Sequence, residues 1–302
     1  MINKIISLFI VLLAGVLLVR CKVLKPSDSR TLSATLLYML TPCMILTSFQ
    51  VDCTPEVQGG LALAAGASLI FHVVLIVANM LVRKHLKLDA VEQASVLYSN
   101  AGNLIIPLVG AMLGDEWVIY SSGFIAVQVV LMWSHAKSLL CGDKKIELKK
   151  ILMNFNMMSI FIGLALFFLG VRFSGPLADA LGSMGGMVGP ASMLVAGMLI
   201  GGMDLKKLFS YKRLPLIAAL RLIAVPLLAL AIFRFTGITN LVPNGRDVLL
   251  VTFLATMTPS ASTITNMSVV YGRDTDYASA INVTTTLLCI ITMPLMVALY
   301  TM

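Results

Sequence analysis

Ten times between residues 4 and 301 the chain runs apolar for about twenty residues and then breaks into a short polar loop. Twenty residues of helix, at about 1.5 Å each, cover the roughly 30 Å of hydrocarbon in a bilayer. An amphipathic helix of a soluble core would keep one polar face, whereas here whole turns are apolar. Only 12% of the residues are charged, about half the share usual in a soluble domain. The chain therefore reads as an all-α, multi-pass membrane protein. Its boundaries predict spans at 4–20, 31–49, 59–82, 90–113, 117–139, 154–172, 177–202, 213–233, 247–271 and 276–301.

The net charge of +8 would suit nucleic acid or a membrane surface if it were clustered, but it is topological. Seventeen of the 22 Lys and Arg fall in the odd-numbered loops, and Lys4, Arg172, Arg234 and Arg246 lie on the other side. Cytoplasmic loops collect Lys and Arg, so the odd loops are expected in the cytoplasm and both termini outside. No nucleic-acid partner is expected. The opening Met1 to Lys4 and its apolar run imitate a signal peptide, and Leu17 to Cys21 imitates a lipoprotein cleavage site. Arg20 stands where such a site needs a small residue, which predicts an uncleaved first helix.

The longest basic loop, Leu140 to Lys150, divides the spans five and five. Five is odd, so the second half enters the bilayer inverted, the arrangement of many secondary transporters. The expected division is a first repeat over 1–140, a cytoplasmic linker over 141–153 and a second repeat over 154–302. A slide of 158 residues superposes Gly114 on Gly272 and Ser121 on Ser279.

The same slide places Ala101 against Pro259, and both lie in spans interrupted at mid-depth. Span four carries Ser99, Asn100, Gly102, Asn103 and Pro107; span nine carries Thr258, Pro259, Ser260 and Ser262. A proline inside a helix removes an N–H and frees a carbonyl, and hydrocarbon satisfies neither. If each helix restarts after its break, with Pro in the first turn, two half-helix N-termini converge. Together they favour an anion, with Asn100, Asn103, Ser260 and Ser262 as neutral donors. Two kinked helices capped by Ser and Thr are the simpler alternative.

Arg221 lies about 12 Å along span eight from Arg213, near the bilayer centre, and the acidic residues all map to loops or span ends. It satisfies carbonyls freed by Pro226 or a broken span, attracts an anionic ligand, or does both. The lack of buried acids argues against an antiporter built on paired carboxylates. His72 in span three is either a packing element or a proton relay. Gln128 in span five and Asn282 in span ten either line a cavity or join helices. Gly182, Gly186, Gly189, Gly197 and Gly201 give span seven a stripe for close helix packing, within the chain or between subunits. The five cysteines lack paired spacing and the nineteen Met lack matching Cys or His, so no metal site or cofactor is expected. Three dispersed His and no nucleophile constellation speak against an enzyme.

Asn100 with Pro107 seven residues on, Met257-Thr258-Pro259-Ser260-Ala261, Arg221 with Pro226 five residues on, and Asn154-Phe155-Asn156 together resemble the auxin efflux carrier (PIN-like) family over essentially the whole chain. The resemblance implies ten helices in a 5+5 inverted repeat, with broken helices four and nine crossed. It also implies a scaffold of helices 1, 2, 6 and 7, a transport domain of helices 3–5 and 8–10, and a homodimer working by an elevator motion. Asn100 and Asn156 match asparagines important for carboxylate binding in plant members. Ser99 departs from the plant crossing proline, Phe155 from a frequent Pro, and the long plant cytoplasmic loop is absent. Bacterial members are associated with small carboxylates such as malate or malonate.

The reading that results is a plasma-membrane transporter of a small organic anion, with membrane lipid around it. Its expected site comprises Asn100, Gly102, Asn103, Pro107, Gln128, Asn156, Arg221, Pro259, Ser260, Ser262 and Asn282. A channel or ligand sensor on the same fold is the alternative.

Overall fold

A computed structural model describes residues 2–142, 148–203 and 208–302, with the side chains of residues 2–6, 9 and 103 outside the described set. Lys144, Lys145, Lys206 and Lys207, and with them much of the expected linker, lie outside it. Every apolar run expected to span is helical. The helices are α1 (Ile2–Arg20), α2 (Pro26–Ser48), α3 (Pro55–Val82), α4 (Ala90–Leu97), α5 (Ala101–Met112) and α6 (Asp115–Cys141). After a short turn of helix at Leu148–Leu152 come α7 (Phe155–Leu169), α8 (Gly175–Gly202), α9 (Leu214–Phe235), α10 (Gly245–Met257), α11 (Ser262–Val270) and α12 (Thr275–Thr301).

Among the described residues, six helices are long and apolar enough to cross a membrane: α2, α3, α6, α8, α9 and α12. The chain is thus a multi-pass membrane protein by length and composition. Apolar side chains such as Ile10, Leu81 and Ile291 are exposed around it, as a lipid-facing surface requires.

Helix starts follow local chemistry. Thr54 accepts from Val57 N–H before α3, and Pro55 sits in the first turn. Asp89 and Glu92 form a reciprocal capping box that opens α4. Asn154 Oδ1 accepts from the N–H groups of Asn156 and Met157, so α7 starts at Phe155 without a proline.

Two packing groups emerge. In one, α1 lies along α8, and the C-terminal half of α2 packs on α7 and on the first half of α8. The α1–α8 seam is a backbone contact: a Cβ at Gly197 would collide with the Leu12 carbonyl, and one at Gly15 would lie 2.5 Å from the Leu194 carbonyl. Gly201 faces Val16 in the same seam. Those glycines therefore pack inside the chain, whereas Gly182 and Gly186 have nothing within 4 Å. In the other group α3 packs on α6 and α10, and α9 and α11 pack on α12.

One expectation is corrected. Glu92 is buried, with 1% of its side chain exposed, rather than lying at a wet span end. Its carboxylate accepts from Arg213 Nε at 2.6 Å and from the Tyr277 hydroxyl at 2.9 Å. This buried acid pairs with a cation and a phenol, not with a second carboxylate, and ties α4 to α9 and α12.

Candidate substrate site

The helix pairs α4–α5 and α10–α11 are each interrupted by a few extended residues, and the two interruptions repair each other. Tyr98 (φ −110°, ψ 127°) ends α4, while Thr258 (φ −65°, ψ 153°) ends α10. Ser99 and Ser260 form an antiparallel bridge. Asn100 N–H donates to the Pro259 carbonyl at 2.8 Å, and Ala261 N–H donates to the Tyr98 carbonyl at 3.0 Å. Backbone groups orphaned by leaving the helix thus find partners in the other half of the chain, as a dry interior demands.

Neighbouring helices complete the repair in matching ways. Gln128 of α6 accepts from Ser99 N–H (3.1 Å) and Oγ (2.7 Å), and its Nε2 donates to the Ser99 carbonyl (2.9 Å). On the other side Thr285 Oγ1 accepts from Ser260 N–H at 3.1 Å, and Asn282 Nδ2 donates to the Ser260 carbonyl at 2.6 Å. Both supporting helices, α6 and α12, follow the interrupted pair in sequence.

Arg221 has no such counterpart. It sits in a π-helical turn of α9 and is 1% exposed. Its Nη1 donates to the Val96 carbonyl at 3.0 Å, its Nε and Nη2 to the Thr258 carbonyl, and Nη2 also to the Thr256 carbonyl at 2.9 Å. One guanidinium therefore caps the C-termini of α4 and α10 together, where helix dipoles favour a cation. Its acceptors are carbonyls, not a carboxylate. This is the carbonyl-satisfying reading of Arg221, and Pro226 has no part in it.

Beside the paired interruptions opens a cavity of about 290 Å³. Its lining includes Ser99 and Asn100, which precede α5, Gly102 in the first turn of α5, and Ala261 and Thr263 at the start of α11. Gln128, Trp133, Lys150, Asn154, Asn156, Asn266 and Tyr271 also line it. Ser262 Oγ donates to Asn100 Oδ1 at 3.3 Å, which brings the two half-helix starts within a side chain of each other. Asn156 is 5% exposed, and its Oδ1 has no hydrogen-bond partner among the described residues. A buried acceptor left open beside a cavity is a place for a ligand donor or a water.

Of the expected site residues, the cavity gathers Asn100, Gly102, Gln128 and Asn156. Ser260 and Asn282 serve the interruption, and Arg221 lies behind it. Pro259 lines a separate apolar cavity of about 30 Å³ with Leu8, Leu12, Leu104 and Met193. Pro107 lies mid-helix in α5, facing Gly189 of α8, instead of opening the half-helix. The expected placement of proline in the first turn is corrected here for both spans: α5 starts at Ala101, and α11 starts three residues after Pro259. The Asn103 side chain lies outside the described residues. Thr263, Asn266, Trp133, Lys150 and Tyr271 had not been singled out. Asn266 sits one turn beyond Ser262 on the same helix, a polar spacing that could have flagged it. Nothing local relates Lys150 to Trp133.

His72, the other polar group expected in the membrane, is buried against Phe71 and Phe124 and hydrogen-bonds the Ser68 carbonyl through Nδ1 at 2.7 Å. It lies away from the cavity lining, as a packing element does. Among the described residues no cluster of His, Cys, Asp and Glu is placed to hold a metal.

The profile of the family described as membrane transport protein matches the chain twice, over residues 1–145 and again over 144–297. Compared with individual curated proteins, the chain finds no match.

Proposed function

The chain belongs to the membrane transport protein family, the auxin efflux carrier group, and on that premise we propose that it carries a small organic anion through the cavity beside the paired interruptions. At the level of the family this makes it a transporter rather than an enzyme. The observation that carries the substrate class is the chemistry of the cavity wall. Two half-helix starts, amides of Asn100, Gln128, Asn154, Asn156 and Asn266, and the ammonium of Lys150 line it, with no carboxylate among the described lining residues. A carboxylate fits such a wall better than a cation or an apolar solute.

Arg221 supports the same reading from behind. Its charge is buried without a counter-carboxylate among the described residues, at a cost that carbonyl bonds offset only in part, and an anion in the cavity would lower that cost.

The wider arrangement we propose is ten spans. To the six long helices it adds α1, α7 and the interrupted pairs α4–α5 and α10–α11, which cross at their breaks. The two family matches meeting at residues 144 and 145 support an inverted repeat divided within 141–153. In this scheme α1, α2, α7 and α8 form a scaffold and the remaining helices move against it as an elevator. The close α1–α8 seam and the thinly filled apolar cavity between α1, α8, α5 and α12 support that division. A homodimer in the plasma membrane with both termini outside completes the proposal, the orientation resting on the basic odd loops.

The test is uptake into proteoliposomes across a panel of mono- and dicarboxylates, with imposed proton and sodium gradients. Saturable flux with counterflow is the expected result. Non-saturating flux would mean a channel, and binding without flux a sensor. If no carboxylate is bound or moved, the anion reading is wrong.

A further inference from the structure

Two side chains of α6 hold the first interruption. Gln128 holds Ser99, and His135, two helical turns further on, meets Tyr98: its Nδ1 lies 2.8 Å from the Tyr98 hydroxyl. Tyr98 also belongs to the joint between the halves, since its carbonyl accepts from Ala261 N–H. His135 sits in a π-helical turn, Met132–Ala136, whose Met132 and Trp133 line the cavity. The slide of 158 residues places Met293 against His135 and Thr256 against Tyr98, so the second interruption has no titratable counterpart of the pair.

The roles in this bond follow from burial. Tyr98 is 0% exposed, and His135 is the partner of its hydroxyl among the described residues. A buried phenol needs an acceptor for its hydrogen. It therefore donates to Nδ1, and the ring carries its proton on Nε2. His135 is only half-buried, so water can deliver a second proton. The ring then has two donors and no acceptor. The Tyr98 hydroxyl must turn to accept, and its own hydrogen is left without an acceptor among the described residues.

The charges around the ring do not offset that loss. Arg83 at the end of α3 acts on His135 electrostatically, Lys137 follows it in α6, and the short helix at Leu148–Leu152 brings Lys149 and Lys150, the latter over the ring of Trp133. Glu92, the carboxylate of α4, is held by Arg213 and Tyr277. The helix α11, which packs on the end of α6, carries no titratable side chain, and Arg273 beyond it donates to the Leu140 carbonyl.

Resting on the anion reading above, we infer that His135 is a positioning residue for the ligand site: as a neutral acceptor it keeps Tyr98 in place at the interruption, and on taking up a proton it loosens Tyr98 and weakens ligand binding. The bond is complete when the imidazole is neutral and is lost as pH falls through the range in which histidines titrate, roughly pH 8 to 5. The sensitivity belongs to the face on which α6 ends, cytoplasmic in the proposed orientation.

The experiment measures unfolding midpoints in detergent, and KM for lactate and malate in proteoliposomes, between about pH 8 and about pH 6, where simple carboxylates stay largely ionised. The proteins are wild type, His135→Asn, Tyr98→Phe and, as a control, His85→Asn at an exposed loop histidine. Asn puts a neutral acceptor near the place of Nδ1 and does not titrate. In wild-type protein acid should lower the midpoint and raise KM about threefold or more. His135→Asn and Tyr98→Phe should hold KM within about 1.5-fold across the same range, with a shallower fall of the midpoint, and His85→Asn should keep the wild-type response. A midpoint that falls as steeply in His135→Asn as in wild-type protein overturns the role of His135, whatever the ligand. A wild-type midpoint that responds beside a KM that does not overturns the link from His135 to the site. Wild-type protein that neither binds nor moves either acid overturns the anion reading, and the midpoints still decide the bond between His135 and Tyr98.

Discussion

Gln128 and Ser99 exchange three hydrogen bonds, 2.7 to 3.1 Å long, so that one side chain satisfies the N–H, the carbonyl and the hydroxyl of a residue that belongs to no helix. It does for one interruption what Thr285 and Asn282 do for the other. Gln128 also lines the cavity. Support and site thus share a residue.

Replacing Gln128 with Leu keeps the volume roughly constant and strands the polar groups of Ser99. The loss should be about 2 kcal/mol of stability, read as a lower unfolding temperature in detergent, together with a fall in flux. Thr285→Val should destabilise by a similar amount with a smaller effect on KM, because Thr285 does not line the cavity.

Arg221→Met removes the donors shared by the Val96, Thr256 and Thr258 carbonyls. Unmet buried carbonyls cost about 1 to 3 kcal/mol each before relaxation, so poor folding yield is the expected outcome. Arg221→Lys keeps the charge but cannot reach all three acceptors. It should fold with a lowered midpoint and still bind anion, which a binding assay in detergent would show.

Asn156→Asp is nearly isosteric and places a carboxyl at an atom that has no hydrogen-bond partner among the described residues. If ionised beside the half-helix starts, it repels an anion. KM for the best carboxylate should rise more than tenfold with little change in unfolding temperature. An unchanged KM would place the ligand elsewhere.

Gly197→Ala drives a Cβ into the Leu12 carbonyl, a backbone group that cannot swing aside. The overlap should cost about 1 to 3 kcal/mol. Gly182→Ala, with nothing within 4 Å, should be neutral or raise stability by up to about 1 kcal/mol through helix propensity. Thermal midpoints of the pair provide the comparison.

Arg213→Met leaves the buried Glu92 carboxylate without its cation, and so should destabilise more than Arg213→Met combined with Glu92→Gln. Arg213 is 43% exposed, and solvent screening keeps the coupling on the order of 1 kcal/mol. A double-mutant cycle on unfolding midpoints measures it.

The helical runs were readable because span length and apolar patterning are local properties, and the helix ends follow the expected boundaries closely, apart from α2, which begins with a tight turn at Pro26. The interruptions were located for a reason that proved partly mistaken. Pro107 drew attention to span four, yet it lies inside α5, and the break falls at Ser99, where no proline or glycine stands. What holds Ser99 out of a helix is its bridge to Ser260 and the grip of Gln128, and neither is written in the neighbouring residues. Glu92 was counted with the acids at span ends because it lies two residues inside the expected start of span four. Its burial is imposed by Arg213, 121 residues away. Asn100, Gln128 and Asn156, which line the cavity, stood out in the sequence as amides, whereas Trp133 and Lys150 come from different elements and nothing local relates them.

The bridge between Ser99 and Ser260 also bears on how the protein is made. When the first five spans have emerged from the ribosome, the Tyr98 carbonyl and the Asn100 N–H lack the partners they have in the folded chain, since Pro259 and Ala261 are still to be synthesised. The early half must wait in the bilayer with an unfinished helix, held by water, lipid headgroups or the insertion machinery. Its completion is the event that tells the two halves they have met.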